Sequence, residues 1–360
     1  MAPDTGRLFV YRELVLSGFY SPEGLAGVPP QDMTPDHVEL SPRPPGSYIA
    51  LDIVKTFTSL SPANRLFPDA FPLTAMELHP RLVFERSARE DGLGALRFAP
   101  QDFWVRFSPR DRDRLTIRAG QFVLPYGVNP IQAPRQRFLL PLESLDLGLK
   151  WDWGIDVKGP FRRNEWEVAA TLGLGEALHS PRLFSNAGAR SYLLTGRVGT
   201  PTYMDFQYGF SFLRGQMPTL RGAIVVDDEP LSRWRSSFDT FYRFGTYLMA
   251  GGQISLGQDG FSGDGEKIAL SRGRTADVVG YRIWADFVLP RYQNVRLGAQ
   301  FESVIRDLST PRTDDTALIL EFNYSSSTEV TWRVDYRQET DRSNGTDRDA
   351  LFFSFIYYGS

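Results

Sequence analysis

Hydrolytic and metal chemistry relies on histidine, cysteine, activated serine and paired carboxylates, and this chain has few arrangements that such chemistry needs. It contains three histidines, His37, His79 and His179, and no cysteine. His37 and His179 fall in segments read as loops, and His79 stands directly before Pro80. There is no Gly-x-Ser-x-Gly elbow to present a nucleophile and no His-Glu-x-x-His pair to hold zinc. His179 and Ser180 are adjacent, but a base and its nucleophile must meet in space, which adjacency does not provide. The acidic pairs Asp227-Asp228 and Asp314-Asp315 lie in or beside loops, where carboxylates serve solvation more often than proton transfer. Gly257–Gly265 places Asp259 and Asp264 among glycines in the manner of a calcium-binding run. It lacks the twelve-residue loop and the closing glutamate, so it reads as a glycine-rich loop. The missing cysteine excludes disulfides, thiolate metal sites, covalent c-type haem and a lipid-modified N-terminal cysteine. The expectation is a protein that is not an enzyme and carries no cofactor and no metal.

The informative residues are instead those that alternate. In Leu147–Val157, Leu147, Leu149, Trp151, Trp153, Ile155 and Val157 alternate with Gly148, Lys150, Asp152, Gly154 and Asp156. In Val330–Tyr336, Val330, Trp332, Val334 and Tyr336 alternate with Thr331, Arg333 and Asp335. Successive side chains of a strand point to opposite faces, so each segment has one apolar, aromatic face and one polar face bearing both signs of charge. Lipid outside and water inside a transmembrane β-barrel call for this pattern. The averages over 360 residues, 42% hydrophobic and 23% charged with a net charge of -3, look soluble because the pattern hides in every second position. No run of about 18 apolar residues exists, so no transmembrane helix is expected. The net charge gives no sign of nucleic-acid binding, and 13% aromatic residues suit interfacial girdles.

About sixteen strands are expected. They fall near 7–20, 46–57, 73–87, 94–108, 113–124, 146–158, 164–174, 189–199, 203–214, 233–244, 246–256, 277–289, 292–306, 315–325, 328–339 and 349–358. Connections after odd-numbered strands are long and rich in Gly, Pro, Asp and Ser: Ser21–Pro45, Pro125–Leu145, Gly175–Gly188, Gly215–Ser232, Gly257–Ala276, Asp307–Asp314 and Thr340–Arg348. Those after even-numbered strands, such as Pro109–Arg112, Gly159–Arg163, Thr200–Thr202, Pro290–Arg291 and Ser326–Ser327, are short. Thr58–Pro72 and Ala88–Leu93 break the parity. The fold expected is all-β: an antiparallel up-and-down transmembrane barrel over residues 1–360 as a single domain, with short periplasmic turns and long extracellular loops. A barrel of this strand number is wide enough for an aqueous channel. No internal repeat argues for a propeller or solenoid. Met1–Arg7 lacks the basic and apolar regions of a secretory signal. A mature or recombinant form, or a mis-assigned start, is therefore expected. A soluble β-rich binding protein is the reading that this start favours.

Arg118–Gly127 (RAGQFVLPYG), a loop rich in Pro and Arg, and Leu147–Pro160 (LGLKWDWGIDVKGP) together resemble the central strand–loop–strand of bacterial outer-membrane porins. The likeness is to phosphate-selective-type porins and to the porin component of porin–cytochrome electron conduits. Ala350–Ser360 is similar to the aromatic closing strand of such barrels, although its last residue is not aromatic. The resemblance implies the bacterial outer membrane and lipid as the surrounding partner. It leaves two functions open. One is a porin for passive diffusion of small hydrophilic solutes or anions, with a homotrimer as one assembly. The other is a scaffold sheathing a multihaem cytochrome.

In general porins the third long loop folds inward, and here that loop is Pro125–Leu145. Its Arg135, Arg137 and Glu143 are candidate constriction residues, and Pro125, Pro130, Pro134 and Pro141 restrict it. The alternative is an external loop whose charges keep it solvated. The alternation places Arg106, Lys150, Asp152, Asp156, Lys158, Arg197, Arg243, Arg282, Asp286, Arg296, Glu302, Arg333, Asp335 and Arg337 on the lumen wall. An arginine or lysine facing lipid near the midplane costs about 2–4 kcal/mol. Bases outnumber acids in this set, which allows an anion preference. Only four of the 40 basic residues are lysines, which fits either anion recognition by guanidinium or genomic base composition.

Overall fold

The computed structural model describes residues 6–20, 47–58, 72–85, 95–98, 102–108, 115–128, 151–174, 190–201, 203–221, 224–260, 275–305, 308, 314–341 and 346–359. They form eighteen strand segments: β1 (Leu8–Tyr20), β2 (Ser47–Thr56), β3 (Leu73–Leu78), β4 (Arg81–Glu85), β5 (Ala95–Phe98), β6 (Phe103–Phe107), β7 (Thr116–Val123), β8 (Trp151–Phe161), β9 (Asn164–Thr171), β10 (Tyr192–Gly199), β11 (Phe206–Arg221), β12 (Ile224–Phe244), β13 (Leu248–Gly260), β14 (Thr275–Leu289), β15 (Tyr292–Ile305), β16 (Asp314–Ser325), β17 (Val330–Asp341) and β18 (Thr346–Gly359). Neighbours in the chain are neighbours in the sheet, every pairing is antiparallel, and β18 returns to pair with β1. The sheet is therefore a closed barrel without a free edge.

Eighteen segments make sixteen staves. The third stave is β3 followed by β4, both paired with β2, and the fourth is β5 followed by β6. Pro80 explains the first break: it has no N–H to give the ladder, so the strand is interrupted at His79-Pro80. The His79 amide turns to Asp102 O at 2.6 Å, between β5 and β6. All sixteen expected strands correspond to staves. One connection differs: Gly215–Ser232, expected as a loop, is strand up to Arg221 and again from Ile224, so β11 and β12 extend each other as a ladder with register shifts near Thr219.

Four tight connections lie at the end where β1 begins and β18 finishes. Arg162-Arg163, Gly245–Tyr247, Pro290-Arg291 and Ser326–Glu329 join consecutive strands there. Gly245 takes φ +62° and Arg162 φ +59°, as reversals this short require. Ser327 Oγ accepts the amides of Glu329 and Val330 at 3.2 and 3.1 Å.

The faces are inverted relative to a soluble protein. On β14, Ile283 is 58% exposed while Arg282 beside it is 0% exposed. On β17, Trp332 is exposed and Arg333, Asp335 and Arg337 are buried. Water would penalise such an apolar exterior, whereas hydrocarbon accepts it. Phe161, Phe206, Tyr242, Phe244, Tyr324 and Trp332 stand exposed near the short-turn end, at the level of an interfacial girdle. Some pack on each other, as with Tyr242 and Phe244 at 4.1 Å between centroids.

Candidate functional site

The inner wall has two unlike parts. Between β6 and β9 it is partly open. Arg106 on β6 stands opposite Arg118 on β7, and Trp104 stands opposite Gly120. Gly120 has φ +130°, and a Cβ there would sit 2.1 Å from Phe103 O, so only glycine fits. The gap it leaves lets the Arg118 guanidinium lie between Trp104 and Phe122, 5.6 and 4.5 Å from their ring centroids. Arg118 donates Nε and Nη2 to Asp156 Oδ2 at 3.0 and 2.5 Å, and Nη2 to Glu167 at 2.9 Å. Nearer the short turns, Lys158 and Glu165 pair at 2.5 Å, about one-third exposed.

From β10 to β17 the wall is sealed. Arg235, Arg282 and Arg337 are among the largest fully buried side chains. Arg197 pairs with Asp239 through Nη2 at 2.7 Å, Arg333 with Asp335 at 2.6 Å, and Arg282 lies 3.8 Å from Glu302. Asn323 donates to Glu321. Buried charges persist only when paired and hydrogen-bonded, so this wall is a network rather than a row of free cations.

Chain from the open side docks on the sealed side. Directly after β7, Leu124–Val128 is buried throughout. Tyr126 Oη bonds Ser255 Oγ at 3.1 Å on β13, Gly127 N donates to Ser211 Oγ at 3.0 Å on β11, and Val128 N donates to Gln253 Oε1 at 3.3 Å. Arg197 Nε donates to Gly127 O at 3.1 Å while its other bonds go to Asp239. Thus strands β10 to β13 receive a segment that leaves the barrel wall at β7. Gly127 has φ +54°, and a Cβ there would lie 2.4 Å from the Gln253 amide. Gly209 does the same service for Arg197: a Cβ would meet its guanidinium at 2.3 Å, so the arginine lies flat on bare backbone.

The remaining wall residues read from sequence sort as follows. Asp152 is buried and accepts the amides of Gly173 and Leu174 at 2.5 and 3.2 Å, which fixes the turn after β9. Arg243 sits at the short-turn rim, 3.6 Å from Asp205, and Arg296 is half-buried. Asp286 is buried. Trp151, expected on the lipid face, is buried. Arg135, Arg137, Glu143 and Lys150 lie outside the described residues. Sequence reasoning missed Arg118, Arg235, Asp239, Glu167 and Glu321. Arg235 and Asp239 share the parity of Arg243 on β12, so the signal was present. It also missed a buried group at the first staves, where His79 Nε2 meets Glu13 Oε2 at 3.0 Å and Tyr48 donates to Glu13 Oε1 at 2.8 Å. These additional acids bring the wall close to charge balance, so any ion preference follows from which charges stay accessible and not from their number.

No family model matches this chain, and no curated protein does. Solved structures do. An anion-selective porin from Comamonas acidovorans superposes with a TM-score of 0.64 at 9% identity, covering 98% of this chain and 99% of that one. The trimer form of OmpT, an outer-membrane protein of Vibrio cholerae, gives 0.61 at 11% identity over 99% and 100%. Salmonella typhi OmpF in complex with daunomycin gives 0.60 at 10% identity over 99% of both chains. At such identities the likeness establishes the architecture: this chain has the fold of outer-membrane porins.

Proposed function

We propose that the protein is a porin of the bacterial outer membrane through which small hydrophilic solutes and ions diffuse passively. Residues 1–360 then form one barrel domain, and Pro125–Leu145 is an inward-folded constriction loop carrying Arg135, Arg137 and Glu143. The observation that carries this reading is the docking of Tyr126–Val128 on β11 and β13, because it commits the start of the third long connection to the lumen. A loop anchored across the bore narrows it and brings loop charges against wall charges, which together set size limit and ion sign. Anion preference and a homotrimer belong to the same proposal. They draw support from the anion-selective and trimeric porins of the same fold. Among the described residues, the wall charges Arg118, Lys158, Arg197 and Arg333 are held in ion pairs. The sheath for a multihaem cytochrome gains nothing from these observations, since a segment of the chain's own already occupies part of the bore.

The test is single-channel recording of the purified chain in a planar bilayer under a salt gradient. Stable open steps are expected, and their absence in an inserted, folded barrel overturns the porin reading. An Arg135→Ser, Arg137→Ser double variant is expected to change conductance and reversal potential; unchanged values would remove the constriction role from that loop.

A further inference from the structure

The geometry points to a specific oxyanion contact at Arg106, on the short-turn side of the docked loop, a site that rests on the porin reading above. Arg106 and Arg118 stand directly opposite each other on β6 and β7. Like charges in that position repel, and the repulsion must be compensated locally. Arg118 is compensated by Asp156 and Glu167. Arg106 has no such bonded carboxylate: among the described residues its guanidinium has neither a hydrogen-bond nor an ion-pair partner, and its Nε is buried. Its contact is the face of Trp104 at 5.9 Å, with Arg118 and Glu77 as charged neighbours.

The pairing pattern makes this arginine unlike the others. Arg197, Arg282 and Arg333 are buried against carboxylates, so a passing solute meets neither their charge nor their donors. Arg106 is half-buried, oriented by an indole and backed by a second guanidinium held in place. A guanidinium presents a planar fork that binds two oxygens of one anion, which chloride cannot exploit. The class of ligand is therefore a small oxyanion, a carboxylate or phosphate, held briefly on its way through the pore.

The test compares the full chain with Arg106→Gln, Arg106→Lys and, as a control on an exposed short turn, Arg163→Gln. Each is first shown to fold by heat-modifiable migration. Reversal potentials are then read in gradients of potassium chloride and of potassium acetate. In Arg106→Gln the acetate-to-potassium permeability ratio is expected to fall about threefold or more, as for loss of a charge lining a selective pore. Arg106→Lys keeps the charge without the fork; it should retain the chloride value and lose the acetate advantage. Arg163→Gln should match the parent. If Arg106→Gln matches the parent, the site is overturned, and if Arg106→Lys matches it, charge alone acts and recognition by the fork is overturned. A second readout needs no conductance. Acetate or inorganic phosphate titrated into the detergent-solubilised protein should change indole emission saturably, and this should vanish in both Arg106→Gln and Trp104→Phe. No saturable change in the parent overturns the site even in a conducting pore, whereas a saturable change in a protein that does not conduct overturns only the porin reading.

Discussion

The two parts of the inner wall are built from the same alternation, yet they do different work. On β6 to β9, Arg118, Lys158 and Glu165 stay in reach of the lumen with their partners beside them. On β10 to β17, Arg197, Asp239, Arg235 and Arg282 are removed from solvent, and one of their ion pairs holds a segment from the other side. An inward charge is thus not by itself a selectivity element. On the porin reading proposed above, exposed charges act on passing ions, whereas sealed charges act on the position of the chain.

The sharpest way to break this contrast is on the sealed side. Asp239→Ala leaves Arg197 buried without its carboxylate and should cost about 3–5 kcal/mol. A large drop in thermal stability in detergent is expected, together with noisy, larger conductance as Gly127 loses its clamp. Replacing both partners by apolar residues, Arg197→Met with Asp239→Leu, should restore most of the stability and leave the conductance noisy. If it restored quiet conductance as well, the pair would not be what holds the segment. A smaller effect is expected at Gly127. Gly127→Ala must adopt φ +54° and displace the flexible Gln253 amide, at about 1–2 kcal/mol, and should raise conductance without moving ion preference. On the open side, Lys158→Gln should change stability by less than about 1 kcal/mol, as partly exposed pairs do. It should still shift the reversal potential toward cations, since Glu165 is left unpaired. A Lys158 variant that unfolds the barrel but keeps its ion preference would invert the comparison.

The staves were legible because a lipid-facing strand has nowhere to put a polar side chain, and period-two alternation survives even in β17. The same rule pointed Arg197, Arg282, Arg333 and Arg337 away from lipid, and these side chains are buried. It faltered on β7. There Gln121 and Phe122 are both buried, just ahead of the docked segment Leu124–Val128. Alternation is a signal of two different solvents, and it fades where protein replaces them. The partners of Gly127 and Val128 were beyond reach: Ser211 and Gln253 are polar residues among many, and only the closed ring brings them to residues 84 and 125 positions earlier in the chain. The break at Pro80 could have been read, since a proline without an N–H is a gap in any central ladder.

The pairing of β1 with β18 has a temporal consequence. Ser17 and Ser354 are 337 residues apart in sequence and share a hydrogen bond. The outer edge of the first strand stays unsatisfied until nearly the whole polypeptide has been made. Closure is therefore a late event with high contact order, and every shorter intermediate carries two raw strand edges that invite mispairing. Such a chain needs escort until its last strand arrives, and a variant lacking only β18 should behave as an aggregating species, not as a slightly smaller pore.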